Sequence, residues 1–214
     1  MRVPLVPFDL TPSPAPLPAA VVTFLAAAKV QLDAFFAAPQ HQTGLGFIPS
    51  DHEVVYRTLA AFRLAEPTAR RFCEWGSGFG VIAGLAALLG FDVHGLEIDP
   101  ALVAASRELL AAQGLRATIA HGSFVPEDDA ASEAQADLET RTVLGAADGY
   151  DELGRDLDDF EVVFAYPWPT EEELYCDLFR RRADYGAVLL TYSRTEGMRT
   201  YRKVPHGGRR PARR

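Results

Sequence analysis

The sequence predicts an α/β fold in three layers, a doubly wound and mostly parallel β-sheet with helices on both faces. From residue 70 onward, short apolar runs of strand length alternate with longer segments of helical periodicity. A glycine-rich turn joins the first of these strands to its helix. The 214 residues, of which 48% are hydrophobic and 23% charged, suffice for one domain with a full core. In such a fold the ligand site lies at the carboxyl ends of the parallel strands.

Residues 1–40 are predicted to precede the sheet domain as a proline-rich arm and a helix. Six prolines within Met1–Pro18 remove backbone donors, which favours an extended arm. Ala19–Ala38 is alanine-rich with periodic Val, Leu and Phe, which predicts a helix that packs on the core or covers the pocket. A second helix is predicted to run to about Ala65, with Ser50 or Asp51 at its N-cap.

The alternation that follows predicts the sheet and its crossover helices. Acids at the start and arginines at the end of the last predicted helix suit the helix dipole. The predicted elements are strand Arg70–Glu74, helix Gly80–Leu89, strand Phe91–Glu97, helix Pro100–Gln113, strand Arg116–Ala120, strand Glu161–Ala165, helix Thr170–Arg182 and strand Ala187–Tyr192.

An acid-rich insert at about residues 126–159 interrupts the alternation. Its Ala131–Leu144 part has the composition of a surface helix, and the rest that of a loop. Two interpretations are open. The insert is a solubilising surface segment, or it is a negative collar that attracts a basic substrate such as a lysine-bearing peptide or a polyamine.

Composition also bounds the partners and the compartment. The net charge of -8 and the pI of 5.1 argue against broad affinity for nucleic acid. Arg180–Arg182 is interpreted as a solvated helix end, and residues 206–214 as a disordered basic tail. The sequence has only two cysteines and shows no signal-peptide pattern at its start. It also shows no segment that is long and apolar enough to span a bilayer. We therefore expect a soluble, cytoplasmic protein without a membrane partner; the sequence does not indicate its oligomeric state.

The glycine-rich turn is Glu74-Trp-Gly-Ser-Gly-Phe-Gly80, and it has the features of a cofactor loop. Its three glycines allow a sharp turn and close approach of a ligand, and the next helix directs free N–H groups into the turn. Read from Gly78, the spacing Gly78-x-Gly80-x-x-Ala83 also fits a dinucleotide fingerprint. Glu74 favours another ligand, because a carboxylate repels a pyrophosphate but attracts the ammonium group of S-adenosylmethionine.

This segment resembles the first motif, (D/E)-x-G-x-G-x-G, of the class I S-adenosylmethionine-dependent methyltransferases, and every fixed position is filled. The resemblance implies a Rossmann-like domain over residues 41–205 that ends in an antiparallel strand pair, Tyr185–Tyr192 and Met198–Val204. It implies S-adenosyl-L-methionine as the cofactor and no metal. The cofactor residues in this turn are then Glu74, Gly76, Ser77, Gly78 and Gly80.

Glu97, at the end of the next predicted strand, is expected to bind the ribose of the cofactor. Two carboxylate oxygens suit two adjacent hydroxyl donors, although NAD sites use the same arrangement. Asp99 is the alternative, but the following Pro100 makes it a better helix N-cap. Ile98, which lies between the two acids, is included in the cofactor site.

The adenine is expected near His121-Gly-Ser-Phe124, after the third strand of the alternation. Related methyltransferases often have an acid where Ser123 stands, and a hydroxyl can also bond an exocyclic amine. Phe124 is expected to stack on the ring. His121 is interpreted as structural.

The acceptor site is expected at Phe164-Ala-Tyr-Pro-Trp-Pro169. This segment resembles the (N/D)-P-P-(Y/F) loop of amino-group methyltransferases, which assigns Tyr166, Pro167 and Trp168 to the catalytic site. Ala165 departs from the pattern because it replaces the polar residue. The alternative is a rigid turn whose aromatic side chains pack in a core.

Three functions remain open. The first is methyl transfer to a nitrogen or oxygen of a protein side chain or small molecule, with lysine suggested because Gly46-Phe-Ile-Pro-Ser50 resembles a segment of some protein-lysine methyltransferases. An NAD-dependent oxidoreductase is the second. A catalytically silent S-adenosylmethionine-binding module is the third, and Ala165 favours it.

Overall fold

A computed structural model describes residues 3–38, 48–127, 129–135 and 140–205. Within them, seven strands form one mixed sheet in the order β1-β7-β6-β5-β2-β3-β4. The strands are β1 Leu5–Pro7, β2 Arg71–Trp75, β3 Asp92–Glu97, β4 Thr118–His121, β5 Val162–Ala165, β6 Val188–Ser193 and β7 Gly197–Lys203. The helices are α1 Ala19–Ala37, α2 His52–Ala65, α3 Val81–Leu88, α4 Pro100–Ala112, α5 Ala130–Gln135, α6 Gly149–Leu153 and α7 Glu172–Arg182, and Leu157–Asp159 is a 3-10 helix.

The predicted sheet and its antiparallel C-terminal pair are confirmed. Strands β2 to β6 are parallel to one another, and β7 runs antiparallel to β6. The chain moves outward from β2 through β3 to β4 and then returns to place β5 on the other side of β2. This reversal opens a crevice at the carboxyl ends of β2 and β5.

The two faces of the sheet carry separate apolar cores, as a three-layer fold requires. Phe72 packs with the helices α1 to α4 on one face, and its neighbour Cys73 packs with α6, α7 and the 3-10 helix on the other. This follows from the alternation of side chains along a strand. Cys73 and Cys176 are both free and buried.

The proline-rich arm is more than an extended segment, because Leu5–Pro7 is a strand of the sheet. It pairs antiparallel with β7, and the Phe8 N–H donates to the Thr200 carbonyl at 2.9 Å. Pro7 is tolerated because β1 is an edge strand, where one side needs no donor. The tail at residues 206–214 lies outside the described residues.

Helix α1 corrects one statement made from the sequence. Its 19 residues are long and apolar enough to cross a bilayer by length and composition, so the expectation that no segment meets that test is wrong. In the fold, Val21, Phe24 and Ala28 are buried against the domain. Helix α1 therefore packs on the core, one of its two predicted roles.

The acid-rich insert is also different from the prediction. In its described part, the helix near Ala131–Leu144 covers only Ala130–Gln135, and the supposed loop contains α6 and the 3-10 helix. Tyr150 is 3% exposed and Asp129 5% exposed. The Asp129 carboxylate accepts hydrogen bonds from Arg181 of α7, so the insert packs into the fold. Arg181 is itself exposed, in line with the predicted solvated helix end, while its guanidinium reaches the buried Asp129 carboxylate.

Candidate functional site

A cavity of about 900 Å³ opens at the carboxyl ends of β2, β3 and β5, where the alternation predicted it. It is lined by the glycine turn, the ends of β3 and β5, the turn between β6 and β7, residues 48–50 and 141–143, and His52. The predicted site residues that line it are Glu74, Gly76, Ser77, Gly78, Glu97, Ile98, Phe124, Tyr166, Pro167 and Trp168. Gly80 and Ser123 do not line it.

Glu74 connects the cavity to helix α3. It is 4% exposed, and its Oε2 accepts a hydrogen bond from the Ala83 N–H at 2.9 Å. Gly80 occupies the N-cap of α3 and has no side chain to satisfy the free amides of the first turn. The carboxylate therefore caps α3 from the end of a neighbouring strand while facing the cavity.

Glu97 holds the glycine turn from the adjacent strand. Its Oε2 accepts from the Gly78 N–H at 2.7 Å, and its Oε1 accepts from the Asp99 N–H at 2.9 Å. Asp99 caps α4, since its Oδ1 accepts from the Ala101 N–H at 2.7 Å, and it does not line the cavity. The choice of Glu97 over Asp99 as the cavity carboxylate thus agrees with the geometry.

The two carboxyl groups resist ionisation in the free protein. Burial raises the pKa of Glu74 well above its usual value, against the opposing effect of the Ala83 hydrogen bond, and the nearby Glu97 raises it further. Burial likewise raises the pKa of Glu97, against the hydrogen bonds from Asp99 and Gly78. A cationic group bound between them would favour the ionised forms.

The three glycines of the turn have left-handed backbones but different surroundings. Gly76 has φ 68° and Gly80 has φ 72°. A Cβ added at Gly76 would meet no atom within 4 Å, whereas one at Gly80 would lie 2.9 Å from Ser106 Cβ. Gly80 therefore allows the start of α3 to lie close to Ser106 of α4, and it does not line the cavity toward which its cofactor contact was predicted. Beside it, the buried hydroxyl of Ser77 has no hydrogen-bond partner in the described structure.

The two residues predicted to contact the adenine, Ser123 and Phe124, have different positions relative to the cavity. The Ser123 hydroxyl donates to the Val143 carbonyl at 3.1 Å and accepts from the Val125 N–H at 3.0 Å, so it fixes a loop and is not on the cavity wall. Phe124 does line the cavity and stacks on Trp75, with ring centroids 5.0 Å apart at 12°. Of the two residues predicted to contact the adenine, Phe124 lies on the cavity wall and Ser123 does not.

The loop after β5 forms the opposite wall. The Tyr166 ring meets the Tyr192 ring edge-on, with centroids 5.0 Å apart. Burial raises the pKa of Tyr166, against the opposing charge of Arg194. Trp168 lies under the Arg141 guanidinium, which is 5.0 Å from the ring centroid. Ala165, which replaced the polar residue of the motif, is fully buried and off the wall.

Several cavity residues escaped the sequence analysis. Arg141 and Thr142 come from the acid-rich insert and are held there by Glu171, whose carboxylate accepts from both backbone N–H groups. His52 of α2 also lines the cavity, and burial lowers its pKa against the raising effect of Asp51. No local pattern signals these positions, because each depends on contacts between distant parts of the chain.

Among known proteins, no family model and no curated protein matches the chain. Solved structures do match. A hypothetical protein of Thermus thermophilus aligns with TM-score 0.53 and 17% identity, over 76% of this chain and 91% of its own. An RNA methyltransferase of Salinibacter ruber in complex with S-adenosyl-L-homocysteine aligns with TM-score 0.51 and 16% identity, over 78% of this chain and 98% of its own. An O-methyltransferase of Bacillus cereus in complex with the same compound aligns with TM-score 0.50 and 14% identity, over 83% of this chain and 67% of its own.

These similarities establish the fold. The chain has the Rossmann-like fold of the class I methyltransferases, with the mixed sheet expected for it. It spans 66% and 67% of the length of two O-methyltransferases with which it aligns.

Proposed function

We propose that the protein is an S-adenosylmethionine-dependent methyltransferase that acts on a nitrogen or oxygen of a small molecule or a protein side chain. The fold supports the proposal, as does the cavity at the carboxyl ends of the strands. Similarity of fold leaves the chemistry to be argued from the site itself.

The observation that carries the proposal is the placement of two buried carboxyl groups at the glycine turn. Glu74 accepts a hydrogen bond from the Ala83 N–H, and Glu97 accepts one from the Gly78 N–H. Two backbone donors that could bind a phosphate are therefore already used. The wall they leave is acidic. It suits a ligand with an ammonium group and a ribose diol but no phosphate, and it disfavours the pyrophosphate of NAD.

The residues present fit such a cofactor. Glu97 is suited to accept from the ribose hydroxyls, because each carboxylate oxygen has a second acceptor site beyond its backbone hydrogen bond. Glu74 is suited to the ammonium group, either directly or through water. The unpartnered Ser77 hydroxyl offers one further polar contact, and Phe124 offers an aromatic face for the adenine.

Bound there, the cofactor would supply a sulfonium methyl group that is already electrophilic. The protein then needs to hold an acceptor lone pair in line and to exclude water. Tyr166, Pro167 and Trp168 form a wall that can do both, and aromatic faces favour a nearby positive charge. A tyrosine phenol is protonated near neutral pH, and burial raises the pKa of Tyr166 further, so its hydroxyl can both donate to and accept from an acceptor group.

The nature of the acceptor is part of the proposal. A protein lysine and a small molecule both remain candidates, and nucleic acid is not expected for a chain of net charge -8. None of the acids in the described part of the insert lines the cavity, so the negative collar has no support at this site. A cytoplasmic location, consistent with two free cysteines, also belongs to the proposal.

Calorimetry with S-adenosylhomocysteine and with NAD, on the same preparation, tests the cofactor. We expect binding of the first and none of the second, and the reverse result would overturn the proposal and favour the oxidoreductase alternative. Radiolabelled methyl transfer into a cell lysate then tests turnover. Cofactor binding without labelling of any protein or small molecule would support the silent module that Ala165 suggested.

A further inference from the structure

The acceptor side of the cavity has a different charge from the cofactor side. Arg141 and Arg194 are exposed and line the cavity there, and neither guanidinium has a carboxylate partner in the described part of the chain. The acids on the same wall are already paired. Glu172 binds Arg199 at 2.6 Å, and Glu196 binds the same guanidinium at 2.5 Å.

The two free arginines flank one aromatic loop. Arg141 lies over the Trp168 ring at 5.0 Å, and Arg194 is close enough to Tyr166 to oppose the rise in its pKa. Tyr166 and Trp168 are two residues apart. The wall therefore presents two aromatic rings, with one cation over Trp168 and a second near Tyr166.

The position of Arg141 is fixed by the fold. Its backbone N–H donates to the buried Glu171, which also accepts from the Thr142 backbone and hydroxyl groups. Glu171 begins the segment that leads into α7, so the arginine is held against the cavity by a contact across thirty residues. A guanidinium held at its backbone and stacked on a ring loses little freedom when it binds an anion.

The cavity is large enough for a second, small ligand. Its volume of about 900 Å³ is near the upper end of the range for sites that hold one drug-sized ligand, about 300 to 1,000 Å³. Building on the function proposed above, we infer that the methyl acceptor is a small aromatic molecule with a carboxylate, whose ring stacks on Tyr166 and Trp168 and whose carboxylate pairs with Arg141 and Arg194.

The test uses the full chain saturated with S-adenosylhomocysteine and three probes of similar shape. They are para-hydroxybenzoate, its neutral amide para-hydroxybenzamide, and the cationic tyramine. We expect calorimetry to give a dissociation constant for the acid about tenfold lower than that for the amide, because the acid adds charge-assisted hydrogen bonds. Tyramine is expected to bind least.

Variants then assign the subsite. Arg141→Gln and Arg194→Gln should each weaken binding of the acid by about tenfold and leave binding of the amide unchanged. Arg116→Gln is the matched control, because Arg116 is exposed and does not line the cavity. Thermal unfolding of each variant checks that the fold is intact, as expected for exposed side chains.

The outcomes separate this inference from the proposed function. If S-adenosylhomocysteine binds and the amide or tyramine binds as well as the acid, the aromatic-acid subsite is wrong and the methyltransferase proposal stands. Binding of a single-stranded RNA through the same two arginines, with no binding of the acid, would also overturn the subsite. If S-adenosylhomocysteine does not bind, the proposed function fails and the subsite fails with it.

Discussion

The Glu74 carboxylate accepts a hydrogen bond from the Ala83 N–H at 2.9 Å, so one side chain both caps helix α3 and faces the cavity. The cap would ordinarily come from the N-cap residue, but that residue is Gly80. Because the same group serves the fold and the ligand site, a substitution that removes the acceptor oxygen should lower both stability and affinity, whereas Glu74→Gln keeps an acceptor for the cap and removes the charge.

The first prediction concerns the pH dependence of cofactor binding. The raised pKa of Glu74 means that its carboxyl group is protonated over a wider pH range in the free protein. A bound ammonium favours the ionised form, so binding should release a proton, and affinity should rise with pH until Glu74 is ionised in the free state. Calorimetry in buffers of different ionisation enthalpy, from about pH 5 to about pH 8, measures the release. An equal release in Glu74→Gln would contradict this assignment.

The second prediction concerns stability. Folding raises the pKa of the Glu74 carboxyl group above its value in the unfolded chain, which is near 4.5. The folded protein therefore loses stability as pH rises from the unfolded-state pKa toward the folded-state pKa. Glu74→Gln removes this penalty and keeps an acceptor for the Ala83 N–H. The melting temperature of the variant minus that of the unsubstituted protein should therefore become more positive as pH rises from about 4 to about 8. A constant difference across this range would show that Glu74 ionises normally.

The third prediction tests Glu97 as a cofactor ligand. Glu97→Gln retains the shape of the side chain but removes its charge and replaces one of its two acceptor oxygens by an NH2 donor. Affinity for S-adenosylmethionine should therefore fall by about tenfold or more. Glu108→Gln is the control, since Glu108 is exposed on α4 and away from the cavity. Undiminished affinity of the Glu97 variant, measured by calorimetry, would remove this residue from the site.

The fourth prediction compares two glycines of the turn. Gly76→Ala should cost about 1 to 2 kcal/mol of unfolding free energy, the penalty for a left-handed backbone in a residue with a Cβ. Gly80→Ala should cost about 3 kcal/mol, because a contact 2.9 Å from Ser106 Cβ adds overpacking to the same penalty. Urea unfolding measures both values. Equal losses would indicate that α3 and α4 can separate without cost.

The fifth prediction concerns the docking of helix α1. The Phe24 ring covers Gly84 of α3 so closely that a Cβ added there would lie 2.2 Å from Phe24 Cζ. Phe24→Ala should lower the unfolding free energy by about 3 kcal/mol. Val22→Ala, on the same helix but with the Val22 side chain 52% exposed, should lower it by less than about 0.5 kcal/mol. Similar effects of both variants would mean that α1 is not docked through Phe24.

The sequence by itself determined the alternation of strands β2 to β6 with helices α3, α4 and α7, the glycine turn, the capping role of Asp99 and the two acids that face the cavity. These features are local. A strand, a turn and an N-cap are set by residues close together in the chain, and the parallel connection of successive strands brings their carboxyl ends to one edge. For the same reason, the sequence predicts that Glu74 and Glu97 lie near each other.

Only the tertiary structure decided what Gly80, Ser123 and the acid-rich insert do. Gly80 faces α4, the Ser123 hydroxyl is used by a loop, and the insert brings Arg141 to the cavity through Glu171. Each of these depends on which distant residues meet in the packed chain. Neither the spacing nor the charge of a segment specifies such contacts, because they form between elements whose relative placement is fixed by burial of the whole core.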